Sequence, residues 1–136
     1  MTPFKATKKI ETTNKEVNSV FEFSPYIDAM KKDSRKNCPV LRATNAMGDQ
    51  WSILILREFF LEGPRRFQDL QDVLKVSPNT LSGRLQKLEK AGIIERHQYS
   101  SNPPRAEYHL TEAGRALSPV MGALHTWGSA YTPDLE

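Results

Sequence analysis

The sequence predicts a mainly α-helical fold carrying one small β-hairpin, and three observations predict it. Proline, glycine and capping residues cut the chain after Cys38 into pieces of helix length. Within those pieces the apolar residues recur at helical spacing. Only residues 93–110 have strand character, interrupted by a proline-rich turn.

The elements follow in order. Pro39 suits the first turn of a helix, where its missing N–H costs nothing, so Cys38 is the expected N-cap of a helix that runs to about Met47 and ends at Gly48. Asp49 caps the next helix. Trp51, Ile53, Leu54, Ile55, Leu56, Phe59, Phe60 and Leu61 make it apolar around most of its circumference, the expected pillar of the core. Gly63-Pro64 breaks the chain, and Phe67, Leu70, Val73 and Leu74 form the stripe of a short helix. Ser77-Pro78 repeats the cap-plus-proline signal, and Leu81, Leu85 and Leu88 fall at i, i+4 and i+7 before Gly92. The opposite face of that helix carries Thr80, Gly83, Arg84 and Lys87, with Asn79 and Ser82 near its start. Residues 93–99 and 105–110 are the expected strands, joined by a turn at 100–104. Thr111 caps a last helix, lined on one side by Leu117, Val120, Met121, Leu124, Trp127 and Tyr131, with Pro119 expected to kink it.

Composition bounds the rest. At 136 residues the chain has the size of one domain, and its 38% hydrophobic and 26% charged residues are globular proportions. A single cysteine rules out a disulfide framework within one chain, which together with the lack of a signal peptide or an 18-residue apolar run points to the cytoplasm and away from membranes. The formal charge of +3 is unevenly placed. Residues 1–37 hold eight basic and five acidic side chains, whereas 38–136 hold eleven of each. Inside that neutral part, residues 75–105 carry six basic side chains against Glu89 and Glu95. Such polarisation presents a basic face to a polyanion. The expected organisation is therefore an N-terminal arm, 1–37, lysine-rich and mobile at its start and with a short docking helix around Tyr26, followed by a domain at 38–136.

A short helix, a tight turn through Lys75-Val76, a helix with an apolar inner stripe and a basic outer face, and then a hairpin are the parts of a winged helix-turn-helix. Bases in the major groove are read by side chains such as Arg, Asn, Ser and Thr, and phosphates are held by Lys and Arg. Ser77, Asn79, Thr80, Ser82, Arg84 and Lys87 supply that set on one helix. Gly83 costs up to ~1 kcal/mol relative to alanine in a helix interior, a loss that close approach to DNA would explain. Arg96 and Arg105 flank the hairpin turn, where an arginine can enter the minor groove or hold phosphate. A solvated basic face is the plainer account of any one such helix; the coincidence with the hairpin and the basic island favours DNA.

These residues resemble a known family. Cys38-Pro39-Val40, residues 51–58 (WSILILRE), 65–70 (RRFQDL), 81–88 (LSGRLQKL), 92–96 (GIIER), 103–111 (PPRAEYHLT) and Trp127-Gly128 look like an HxlR-type winged-helix transcriptional regulator. Where that family usually has Gly-Gly-Lys-Trp, this chain has Gly48-Asp49-Gln50-Trp51, so Arg65 and Arg66 are the residues available for the phosphate contact of the missing lysine. The resemblance implies a homodimer, packed through the first and last helices of the 38–136 domain, that places two recognition helices on an inverted repeat of double-stranded DNA. It also implies a repressor or another regulator of transcription. Some members of the family use a cysteine at the position of Cys38 to detect electrophiles or oxidants. At a helix N-cap beside Arg35 and Lys36, a thiolate is favoured. An inert, small apolar Cys38 is the bland alternative. A small-molecule effector beside Trp51 or Trp127 is a further expectation set against plain core packing of those rings.

Catalysis finds no support in the sequence. His97, His109 and His125 form no metal-ligand spacing, and neither a Gly-x-Ser-x-Gly elbow nor a glycine-rich phosphate loop is present, so no enzyme activity, metal or cofactor is expected. Two classes remain: a dimeric DNA-binding regulator and a winged-helix adaptor that binds protein through its apolar helices.

Overall fold

A computed structural model describes residues 25–135; the expected mobile start of the arm lies outside them. The chain divides into two units, Val40–Ser118 and the segments up to Pro39 and from Pro119 onward.

The Val40–Ser118 unit holds the core. Helix α1 (Pro25–Lys32) precedes it, followed by a 3-10 turn (Arg35–Asn37); α2 spans Pro39–Met47, α3 Gln50–Glu62, α4 Phe67–Leu74 and α5 Pro78–Lys90. Strands β1 (Ile94–Ser101) and β2 (Pro104–Leu110) pair antiparallel, and α6 (Glu112–Arg115) and α7 (Ser118–Tyr131) complete the chain. The capping signals act as the sequence requires. Asp49 accepts the backbone N–H of Ser52, Ser77 Oγ that of Thr80, and Thr111 Oγ1 that of Gly114. Cys38, in extended conformation, leads into Pro39. Gly63 turns the chain after α3 at φ 77°, a conformation that L side chains rarely adopt.

Burial follows periodicity. Ile55, Leu56 and Phe59 of α3, Leu70 of α4 and Leu81, Leu85 and Leu88 of α5 are each at most 3% exposed, and Ile93 and Ile94 close the core from the hairpin side. Removing one of these leucines to alanine would cost ~2–5 kcal/mol. Glu58 is buried among them because it falls three residues after Ile55 on the inward stripe. Leu61 and Val73, expected in apolar stripes, are exposed at the helix edges.

Two expectations at the C-terminal side are corrected. The strands extend to Ser101 and resume at Pro104, so the turn is Asn102-Pro103 rather than five residues, with Tyr99 the extra residue of a bulge between Gln98 and Ser100. Pro119 kinks no helix. Thr111 caps the separate four-residue α6, and Pro119 sits in the first turn of α7, where a residue without an N–H is tolerated. Gly114 is packed so closely on the Ile93 carbonyl that a Cβ there would collide with it.

Neither α1 nor α7 has a buried residue. Tyr26 and Met30 of α1 and Val120, Leu124 and Trp127 of α7 are exposed, and the Trp127 and Tyr131 rings lie 5.7 Å apart. Trp127, at 60% exposure, is thus no core residue. Among the described residues no helix is long and apolar enough to cross a membrane.

Candidate nucleic-acid interface

Helices α4 and α5 form the predicted helix-turn-helix. Lys75 takes a left-handed conformation (φ 52°, ψ 37°) and ends α4, Val76 buries its side chain in the turn, and Ser77 starts α5. The Ser77 hydroxyl accepts the Thr80 N–H at 3.2 Å and donates to Thr80 Oγ1 at 2.9 Å, so both hydroxyls take part in the cap. Asn79 and Gly83 are exposed, and Thr80 and Ser82 half-buried. A Cβ built on Gly83 meets nothing within 4 Å, so packing within the chain does not require glycine there.

Arg84 and Lys87 lie on the same helix, but their cationic ends converge on a carboxylate the sequence reading had taken only as a cap. Arg84 Nε donates to Asp49 Oδ1 at 2.9 Å, and Lys87 Nζ to Oδ2 at 3.1 Å. The Ser52 N–H and Oγ donate to the same two oxygens at 3.0 and 2.6 Å. Burial pushes the Asp49 carboxyl up, and the bonds from Ser52, Lys87 and Arg84 outweigh it, holding the group well below the usual carboxylate range. Nothing in local periodicity announces this cluster, because it joins residues 35 and 38 positions apart.

The hairpin supplies a second basic region. Arg66, Arg96, Tyr99, Arg105 and Tyr108 line a groove of about 480 Å³ with Phe67, Gln68 and Ala106. The Arg66 guanidinium lies over the Tyr99 ring, 5.2 Å from its centroid, a cation–π contact that leaves the charge un-neutralised. Burial, and then Glu89, push the Tyr108 phenol above its ordinary pKa, and Arg96 beside it opposes them. Arg66, Arg96 and Arg105 are exposed. The groove therefore gathers three guanidinium groups, a donor set suited to phosphate oxygens.

Arg65 stands apart from its neighbour. Its terminal nitrogen lies 4.0 Å from Glu58, its side chain is 19% exposed, and its Nε is buried without a hydrogen-bond partner. Its backbone pairs with Tyr108 in both directions, at 3.1 and 2.7 Å, so the base of the hairpin is joined to the segment before α4. Arg65 and Arg66, adjacent in sequence, thus face different surroundings.

The remaining candidates are placed as follows. Cys38, half-buried, lies outside the Val40–Ser118 unit. The His97 and His109 rings stack with centroids 4.1 Å apart, each bonded to a glutamate of its own strand, Glu95 and Glu107. A second hollow, of about 460 Å³, is lined by Phe59, Phe60, His109, Leu110 and Arg115 among others, and neither Trp51 nor Trp127 lines it. Among the described residues no group of three or more His, Cys, Asp or Glu could hold a metal ion.

Comparison with known proteins follows this geometry. The HxlR-like helix-turn-helix family model matches residues 46–136. An HTH-type transcriptional regulator of Mycobacterium tuberculosis is 47% identical over 95 residues, 70% of this chain and 60% of that protein, so the chain spans about three fifths of its length. The HTH-type transcriptional regulator YdeP of Bacillus subtilis is 34% identical over 105 residues, covering 76% of this chain and 81% of its own. Among solved structures, the redox regulator HypR in its oxidized form superposes with a TM-score of 0.65 at 30% identity, over 72% of this chain and 100% of that one. Helix-turn-helix, hairpin wing and family match coincide, and the chain belongs to the HxlR-like helix-turn-helix family, whose relatives are named HTH-type transcriptional regulators.

Proposed function

We propose that the chain is a homodimeric, sequence-specific DNA-binding regulator of transcription that acts in the cytoplasm as a repressor. The observation that carries this reading is the pairing of two surfaces within one unit: the exposed, small and polar start of α5 with open space at Gly83, and the three-arginine groove on the wing. Asn79, Thr80, Ser82 and Arg84 are assigned to base edges and Ser77 to the flanking backbone, with Lys87 held on Asp49; Arg66, Arg96 and Arg105 are assigned to phosphates. Arg65 is reassigned from phosphate contact to pairing with buried Glu58, to which its side chain turns.

Dimerisation is supported by uncovered apolar side chains on the helices expected to pack across a two-fold axis. Val40 and Leu41 of α2 and Val120, Leu124 and Trp127 of α7 are each at least 40% exposed, more than a monomeric helix surface ordinarily leaves bare. Two copies would present two α5 helices to an inverted repeat.

Selection of a duplex from a random pool, followed by a salt titration, tests the reading. The expected outcome is a two-fold-symmetric site bound at nanomolar concentration, with affinity falling steeply with salt at a log–log slope of about −0.9 per phosphate neutralised. Binding to no duplex, with retention of a protein partner on α7, would establish the adaptor reading instead. An oxidant response through Cys38 is the regulatory part of the proposal, supported by the likeness to HypR. Diamide should release the selected duplex from the wild type and leave Cys38→Ser bound; equal release from both would remove Cys38 from the account.

A further inference from the structure

We propose that Asp49 determines the specificity of the interface, by withholding Arg84 and Lys87 from phosphates and aiming Arg84 toward bases. The inference rests on the DNA-binding reading above.

Asp49 supplies more than a helix cap requires. Capping α3 needs one oxygen and no charge, which Ser, Thr or Asn would supply. Asp49 instead brings a full negative charge to a surface meant for a polyanion, and both its oxygens are occupied. One takes the Ser52 N–H and Arg84, the other the Ser52 hydroxyl and Lys87. Ser52 is itself fully buried, so the carboxylate is held from below while the two cations, each with 38% of its side chain exposed, reach it from α5. A residue that served only as a cap would have no reason to collect two cations from the helix that carries the base-reading residues.

The consequence differs for two kinds of complex. Binding to any duplex draws its free energy from phosphate contacts, each of which releases counterions and adds to the salt dependence. A cation already on a carboxylate can reach a phosphate only by leaving it, so Asp49 removes up to two contacts from the nonspecific complex. Base reading is spared. With Nε fixed on Asp49, Arg84 keeps both terminal amino groups, the pair that suits the two acceptors on the major-groove edge of guanine. One carboxylate thus lowers the affinity for wrong sites and orients the reader for the right one.

The experiment is a salt titration of wild type, Asp49→Asn and Asp49→Ser on the selected duplex and on a scrambled duplex of equal length. Both substitutions retain a capping oxygen for Ser52, and thermal melting reports whether α3 stays folded. On the scrambled duplex the variants should bind about tenfold more tightly at low salt, with a log–log slope steeper by roughly 0.9 to 1.8, one to two phosphate contacts. The ratio of the two affinities should fall at least tenfold. In an Arg84→Ala background the same substitutions should change the ratio by less than half as much on a logarithmic scale. An unchanged slope on the scrambled duplex, or an equal loss on both duplexes in a folded variant, overturns the inference while leaving the DNA-binding reading intact. A wild type that prefers no duplex overturns both, before any variant is made.

Discussion

Two groups of cations in the Val40–Ser118 unit are held in opposite ways. On the wing, Arg66 rests on the Tyr99 ring and Arg96 stands beside the Tyr108 phenol, so each keeps its full charge. On α5, Arg84 and Lys87 rest on Asp49, which cancels part of theirs. An aromatic face orients a guanidinium without competing for its charge, whereas a carboxylate orients it and competes. The cations of the groove and of α5 are therefore two populations of charge, one offered openly and one released on terms.

Removing the offered charge has the largest expected effect. Replacing Arg66 and Arg105 together by alanine should weaken binding to selected and scrambled duplexes alike, by roughly a hundredfold, and flatten the log–log salt slope by about 1.8. A loss confined to the selected duplex would assign these arginines to base reading. The neighbouring residue gives the contrast. Arg65→Ala should cost on the order of 2 kcal/mol of stability, measured by urea unfolding, because it leaves buried Glu58 with Arg57 as its remaining ion-pair partner. Arg66→Ala should leave the unfolding midpoint within error.

A smaller effect probes the carboxylate. The folded Asp49 carboxyl lies below its ordinary value, so its contribution to stability is complete at neutral pH and is lost as pH falls. Wild type should exceed Asp49→Asn by about 1 kcal/mol at pH 7, and the gap should close progressively below about pH 4. A gap constant down to pH 2 would show that the charge of Asp49 contributes nothing to stability. The smallest effect has two signs. Gly83→Ala should stabilise the protein by about 0.5–1 kcal/mol, since the new methyl meets nothing, and yet weaken binding to the selected duplex severalfold. Unchanged binding would place the DNA away from that turn of α5.

Much of the fold was legible because it is written in short range. Ser77-Pro78, Asp49 and Thr111 announce helix starts through bonds to residues three positions on, and the Leu81, Leu85 and Leu88 stripe announces the buried side of α5. Glu58 could have been placed from the same wheel, as it shares the inward stripe of Ile55 and Phe59. Pro119 was misplaced because proline serves equally as a kink or as a first-turn residue, and α6 ends at Arg115 before α7 begins at Ser118. The site was half legible. Its residue types and helix face follow from spacing, but the union of Asp49 with Arg84 and Lys87, and the inward turn of Arg65, depend on contacts between separate elements that no local pattern encodes.

The seat of the wing has a consequence of a different kind. The two bonds between Arg65 and Tyr108 run between main-chain atoms, N–H to carbonyl in each direction. A joint made of main chain does not draw on the side chains it carries, so a substitution at either position leaves both bonds available; proline alone, lacking the N–H, would remove one. The side chains at 65 and 108 can thereby turn to separate tasks, Arg65 inward to Glu58 and Tyr108 into the arginine-lined groove, while the wing's attachment stays constant beneath them.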